Sequence, residues 1–236
     1  MQPGGNWRVT KSQIQEVLVA LYLRLNGYFV SSFIVHAPGR NMTQMDALAV
    51  RFPRHSEEER VIQCDPNLAI PSGQIDFLVG EVKGGVGGAN FNYGFRQNPS
   101  AVRAVLNRFG AFDPEEINRL EYEVPLRLIP NEIRDADTFP SLDVLQGKGR
   151  LRFALFTPDR LRTRGGPSPY IYGNDLLAFA WRCFRPEEHR PLCDARYDFE
   201  QWGPPFVRMV RFFKDQARRE VGIVDDLYSW CARDEA

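Results

Sequence analysis

Residues Ile75 to Lys83 read IDFLVGEVK, an apolar run that ends in a charged pair and passes into glycines. Apolar side chains on both faces predict a strand at the centre of a sheet, not at its edge. Side chains alternate along a strand, so Glu81 and Lys83 share one face and Val82 takes the other. Two rises of about 3.3 Å set the charged pair about 7 Å apart. A carboxylate and an ammonium at that spacing are expected to flank one bound water or phosphate without collapsing onto each other. The E-x-K spacing alone is common by chance. Its context sharpens it, because unpaired charge at the end of an apolar strand is costly. The loop behind it, Gly84-Gly85-Val86-Gly87-Gly88, would let a ligand approach the backbone closely. That loop carries neither a P-loop nor a dinucleotide fingerprint.

Upstream, MDALAVRF (Met45 to Phe52) predicts a second strand. If it runs antiparallel beside the first, Asp46 at its start comes to Glu81 at the other's end. Two carboxylates at one sheet edge are hard oxygen ligands suited to Mg²⁺ or Mn²⁺. Like charges that close need a cation or a shared proton. Asp76 competes with Asp46, but it stands five residues from Glu81, an odd number, and so faces away. Before these comes a strand over Tyr28 to His36 and a helix from about 11 to 26. Thr10 or Ser12 can cap that helix and Asn26-Gly27 ends it. Ile14, Val17, Leu18, Leu21 and Leu25 form one apolar face, and Val19, Ala20 and Leu23 a second, which predicts packing on two sides. Glu16 lies near the second stripe. It is either partly buried with a partner or a rim residue helped by the helix N-terminus.

Downstream, residues 53–75 read as a polar insertion with a hairpin arm around ERVIQC. A helix opens at Asn98-Pro99, and a capping box starts another at Asp113-Pro114-Glu115-Glu116. Residues 130–150 read as loop. LRFALFT (Leu151 to Thr157) and Tyr170 to Tyr172 read as strands, and a helix begins at Asn174 or Asp175. Residues 186–203 look irregular. Helices follow from Pro204 to about Arg219 and from Asp225 to about Cys231. This order predicts an α/β protein with a mixed sheet. Its organisation would be a core over 1–185, interrupted by the 53–75 insertion, with a helical extension over 186–236 packed on it.

Thirty basic residues balance 30 acidic ones over 236 positions. Zero net charge excludes a protein that coats nucleic acid by charge alone, though a local basic groove remains open. The run Lys148, Arg150, Arg152, Arg160, Arg162 and Arg164 is either such a track or a solvated surface balanced by acids. Arg208, Arg211, Lys214, Arg218 and Arg219 read as the polar side of an amphipathic helix. The four cysteines contain no C-x-x-C pair, and the three histidines sit at no zinc-finger spacing from them. Free thiols in a reducing compartment follow, and no zinc module. Neither a signal core nor a membrane-length apolar run is present, so a cytoplasmic location and no membrane partner are expected.

QEVLVALYLRLNGYFV, MDALAV and DFLVGEVK together resemble the PD-(D/E)xK nucleases, the restriction-endonuclease-like superfamily, nearest its Holliday-junction-resolvase-like and Mrr-like branches. The resemblance covers about residues 12–83. LRFALFT and YIYGNDLLAFAW follow the family's later elements more loosely, and the last fifty residues match nothing in it. The resemblance implies a three-layer α/β/α core with a central mixed sheet. It also implies hydrolysis of phosphodiester bonds, in DNA before RNA, in genome defence or repair. Carried over by position, Asp46 and Glu81 would hold Mg²⁺ or Mn²⁺ with the main-chain carbonyl of Val82. Glu16 would hold it directly or through water, and Lys83 would act on the attacking water or the phosphate. Asn90, Asn92 or Arg96 would lie near a phosphate under the glycine loop. The sequence departs from the family at Met45, where a proline is usual, and in the long gap between Asp46 and Glu81. A neutral monomer is a poor stand-alone DNA binder, so a homodimer or a dedicated protein partner is expected. Two other readings stand beside this one: a catalytically idle relative that binds nucleic acid or protein, and an unrelated α/β protein with a coincidental E-x-K.

Overall fold

The computed structural model describes residues 10–35, 43–55, 62–85, 89–134, 136–163, 165–166, 168–185, 202–215 and 224–232. The first helix, α1, spans Lys11–Leu25. Thr10 caps it reciprocally: the Gln13 amide donates to the Thr10 hydroxyl at 3.3 Å, and the Thr10 amide donates to the Gln13 side chain at 2.8 Å. Gly27 turns the chain out of the helix at a φ of +83°, and a Cβ there would lie 2.1 Å from the His55 ring. Only glycine meets both demands.

Five strands follow in hydrogen-bonded order β1 (Phe29–Val35), β2 (Thr43–Arg51), β3 (Ile75–Val82), β5 (Gly149–Thr157) and β4 (Ser141–Val144), with β6 (Tyr170–Tyr172) also on β5. β2 is antiparallel to both of its neighbours, β1 and β3; β3 and β5 are parallel, as are β5 and β6, and β4 is antiparallel to β5. The sheet is therefore mixed, and β3 is internal to it, as its apolar run requires. Alternate residues of β3 feed two cores. Leu78 packs with α1, α6 (Gly173–Phe184), α7 (Pro204–Asp215) and α8 (Val224–Cys231). Phe77 and Val79 pack on the other face, with α3 (Pro99–Phe109) and α4 (Pro114–Arg127). Helices thus flank both faces of a six-stranded sheet. Among the described residues, no helix is long and apolar enough to cross a membrane.

Several elements differ from expectation. The loop expected over 130–150 contains α5 (Pro130–Arg134) and β4, and a four-residue helix, α2 (Tyr93–Arg96), precedes α3. The capping box expected at Asp113 is one-sided: Asp113 accepts from the Glu116 amide at 2.8 Å, but the Glu116 carboxylate accepts instead from the Leu145 amide at 2.7 Å. In the 53–75 stretch the described part carries a single 3₁₀ turn, Pro66–Leu68. The hairpin proposed around ERVIQC falls partly outside the described residues, as do the stretch 186–201 and the end of the Pro204 helix beyond Asp215.

In the run after Lys148, Arg150, Arg152 and Arg162 are ion-paired within the chain and Arg160 donates to the Gly85 carbonyl at 3.4 Å, while Arg164 lies outside the described residues. Arg152 is buried, with Nε donating to Asp76 Oδ1 at 2.9 Å and Nη2 to the Tyr28 hydroxyl at 2.9 Å. Arg150 pairs with Asp143 at 3.3 Å and Arg162 with Asp175 at 3.1 Å. Asp76 is consumed by Arg152, Tyr28 and Arg51 at the start of β3.

Candidate active site

The carboxyl ends of the parallel strands β3 and β5 open at one edge of the sheet, the place where α/β sheets generally receive ligands. Glu81, Val82 and Lys83 lie there. The backbone fixes them: the Lys83 amide donates to the Phe156 carbonyl at 2.8 Å, which continues the β3–β5 ladder. The N–H and C=O of one strand residue point to the same side, so Val82 turns both toward β2.

On that side β2 is irregular. Ser31 pairs with Leu48 and Phe33 with Met45, so Asp46 and Ala47 together stand opposite Ser32. This is a β-bulge, which re-aims the side chains it displaces. Met45 and Leu48 both enter the α3–α4 core, while Ala47 and Ala49 enter the α1 core. The bulge thereby turns Asp46 toward α1, and its Oδ2 accepts from the Val82 amide at 2.7 Å. Glu81 stays on the face of Phe77 and Val79. Asp46 and Glu81 therefore meet at one edge, as expected, but from either side of the β3 terminus and not as a pair on one face.

Glu81 has no solvent exposure. Its Oε1 accepts from the Asn92 amide at 3.1 Å. Its Oε2 is an ion-pair partner of the Lys83 ammonium but lies in good hydrogen-bond geometry to no donor among the described residues. Lys83 also donates to Asn92 Oδ1 at 2.7 Å, and Asn92 in turn donates to the Gln44 carbonyl at 3.3 Å. The pair expected to stand apart has closed. A buried carboxylate needs a counter-charge, and the four-carbon lysine stem reaches back two residues to supply it. Burial pushes the Glu81 carboxyl up to about 7 against the opposing pull of Lys83. Burial likewise raises Asp46, opposed by the Val82 amide and by Lys83.

Glu16 is half-buried on α1. Burial and the nearby Asp46 charge raise its carboxyl, and the Ser12 hydroxyl, donating at 3.1 Å, works the other way. Glu16 and Asp46 line the same cleft, of about 890 Å³, between α1, β1 and α7. The structure thus brings Asp46 within charge range of Glu16 on one side and of Glu81 on the other. Asn92 joins the site through Lys83 and Glu81, not as an independent phosphate contact. Arg96 is turned onto the Phe91 carbonyl at 2.8 Å.

The start of the glycine loop is pinned. Asp159 accepts from the Gly85 amide at 2.9 Å, pairs with Lys11 at 3.0 Å and accepts from the Tyr228 hydroxyl at 2.8 Å. Burial would raise Asp159, but these donors outweigh it and hold its carboxyl below the ordinary value. Tyr228 also accepts from Gln15 at 3.0 Å, so α8 reaches the loop that follows Lys83. No sequence signal marked the bulge or the Asp159–Tyr228 contact, because both join residues far apart in the chain.

The donors at the β3 edge are hard oxygens: two carboxylates and the Val82 carbonyl. No group of three His, Cys, Asp or Glu side chains placed to hold a metal ion occurs among the described residues. A divalent cation here would rest on two carboxylates and a main-chain oxygen, and Glu81 Oε2 is a buried oxygen suited to it. Comparison of the chain with protein-family models, with curated proteins and with solved structures finds no match.

Proposed function

We propose that the chain is a metal-dependent phosphodiesterase acting on nucleic acid, DNA first, with a restriction-endonuclease-like three-layer core. One observation carries this reading. The bulge in β2 and the end of β3 bring Asp46, Glu81 and Lys83 to a single strand edge, with Asp46 held by the Val82 amide at 2.7 Å. The sequence resemblance of residues 12–83 to the PD-(D/E)xK nucleases supports it. So does the donor set, which fits Mg²⁺ or Mn²⁺ by the hardness of its oxygens.

A bound divalent cation would supply Lewis-acid charge to a phosphate oxygen and make a water molecule more acidic. Asp46 and Glu81, with the Val82 carbonyl, would hold it, and Glu16 would take part directly or through water. The chain's own residues do the rest. The Val82 amide fixes the Asp46 carboxylate in place. Asn92 steadies the Lys83 ammonium, which offers positive charge to the substrate phosphate once it parts from Glu81. The pinned start of the glycine loop sets where that lysine begins.

The test is cleavage of plasmid, linear, branched and single-stranded substrates with Mg²⁺ or Mn²⁺, wild type beside Lys83→Ala and Asp46→Ala. Metal-dependent cutting is expected, with each variant slower by about a hundredfold or more, the scale for losing one electrostatic group. No cutting of any substrate would move the reading to an idle subunit that binds nucleic acid or a protein. Cutting that survives Asp46→Ala but not Lys83→Ala would displace the aspartate from its role.

A further inference from the structure

The cleft that holds Glu16 and Asp46 extends well beyond them. It runs along α1 to Arg24, eight residues or about 12 Å further on. Val17 and Ala20 form its floor, Val30 one wall, and Phe206 and Met209 the other. Its far end is an arginine set against aromatic rings: the Arg24 guanidinium lies 4.5 Å from the centre of Phe206 and 5.0 Å from that of Trp202, and donates to the Trp202 carbonyl at 3.1 Å. One wall therefore belongs to α7, in the part of the chain that the sequence resemblance does not reach.

We propose that this groove receives an unpaired stretch of the nucleic-acid strand leading to the carboxylate edge, so that single-stranded or splayed ends are preferred over blunt duplex. The inference rests on the nuclease reading, since it takes the Asp46 end as the place of the phosphate. Three features select the occupant. The volume of about 890 Å³ is that of a small-molecule cleft, too small for a duplex but adequate for splayed nucleotides. Apolar and aromatic walls suit bases out of their stack, whose faces pack on such surfaces whatever the sequence. A cation at one end complements a phosphate, and an arginine on aromatic rings is the usual companion of stacked bases. The groove also answers the charge problem: a chain with no net charge gains little from the phosphates alone, so stacking must carry more of the affinity.

The measurement is fluorescence anisotropy of a labelled oligothymidylate and of a blunt hairpin duplex, with the full chain in EDTA at low salt. Wild type is compared with Ala20→Trp, which fills the floor, and with Phe206→Ala, which removes a wall. Thermal melting of each variant checks its fold. The expected result is tighter binding of oligothymidylate than of duplex. Ala20→Trp and Phe206→Ala should each weaken it by about fivefold or more, the low end for loss of one stacked base. If Ala20→Trp does not fold, Phe206→Ala decides alone. Equal or tighter duplex binding overturns the proposal, and so does unchanged affinity in a folded groove variant, which would assign the groove to another occupant such as the chain's own N-terminal segment. Failure of the nuclease reading looks different: groove-dependent binding of single strands would persist with no metal-dependent cutting.

Discussion

Glu81 is a glutamate with no solvent exposure whose carboxyl is pushed from 4.5 to about 7 by burial, even with an ammonium against it. The sign of its effect on stability follows. Between those two values the folded chain keeps a proton that the unfolded chain has released. Stability of the metal-free protein therefore falls as pH rises from about 4.5 through 7, and the full penalty is present above that. The shift corresponds to at most about 3 kcal/mol. In chelator, the melting temperature of the wild type should drop between pH 5 and 8 by more than that of Glu81→Gln. Adding Mg²⁺ at pH 8 should then raise it by mass action in the wild type and not in Asp46→Ala. Parallel pH curves for wild type and Glu81→Gln would show that Glu81 does not titrate in this range. A Mg²⁺ response that survives Asp46→Ala would take the aspartate out of the metal site.

Where elements join, the described glycine with least room for a side chain is at the start of α6. Gly173 follows β6 directly, and its amide donates to the Arg160 carbonyl at 2.9 Å. A Cβ there would lie 1.9 Å from the Pro158 carbonyl oxygen and 2.8 Å from a Val224 methyl. The obstacle is backbone and cannot swing aside. Gly173→Ala should therefore cost about 3 kcal/mol or more, read as a lower urea midpoint at unchanged slope; a loss below about 1 kcal/mol would mean that the β5–β6 connection yields. Nothing in DLLAFAWRCF announces this glycine. The elements that could be read in advance have local causes: the Thr10 cap of α1, Asn98-Pro99 at the start of α3, the apolar run of β3. Those that could not are short and owe their existence to neighbours. β4 is four residues, Ser141–Val144, held by its ladder on β5, and α2 and α5 are a single turn or little more. The site divides the same way. Period-two alternation was enough to single out Glu81 and Lys83, and the antiparallel register enough to bring Asp46 to their edge. The bulge that turns Asp46 toward α1, and the asparagine that holds Lys83, depend on backbone geometry that alternation does not encode.

Across the whole molecule the last third of the chain completes one of the two apolar cores. Val210, Phe213 and Leu227 have no solvent exposure, and they share one apolar cluster with Leu18 and Leu21 of α1 and Leu176, Phe179 and Trp181 of α6. Trp181 packs at 5.0 Å on Phe213, and Phe184 stacks on it at 5.7 Å. Arg103, Arg150, Arg152 and Arg162 are likewise paired within the chain, on Glu121, Asp143, Asp76 and Asp175, which leaves less charge to steer a polyanion than the count of 30 basic residues suggests. Cutting the chain after residue 185 removes one wall of the groove, the Tyr228 contact to Asp159, and the cover over α1 and α6. A bare apolar face of that extent drives association. The fragment 1–185 should therefore be recovered as aggregate, or as a compact state with helical far-UV circular dichroism and no cooperative melting transition. A soluble, cooperatively melting fragment would make the 186–236 stretch a separable module. In that case it should still bind Mg²⁺ at the β3 edge but bind oligothymidylate no better than duplex, since the groove exists only where α7 faces α1.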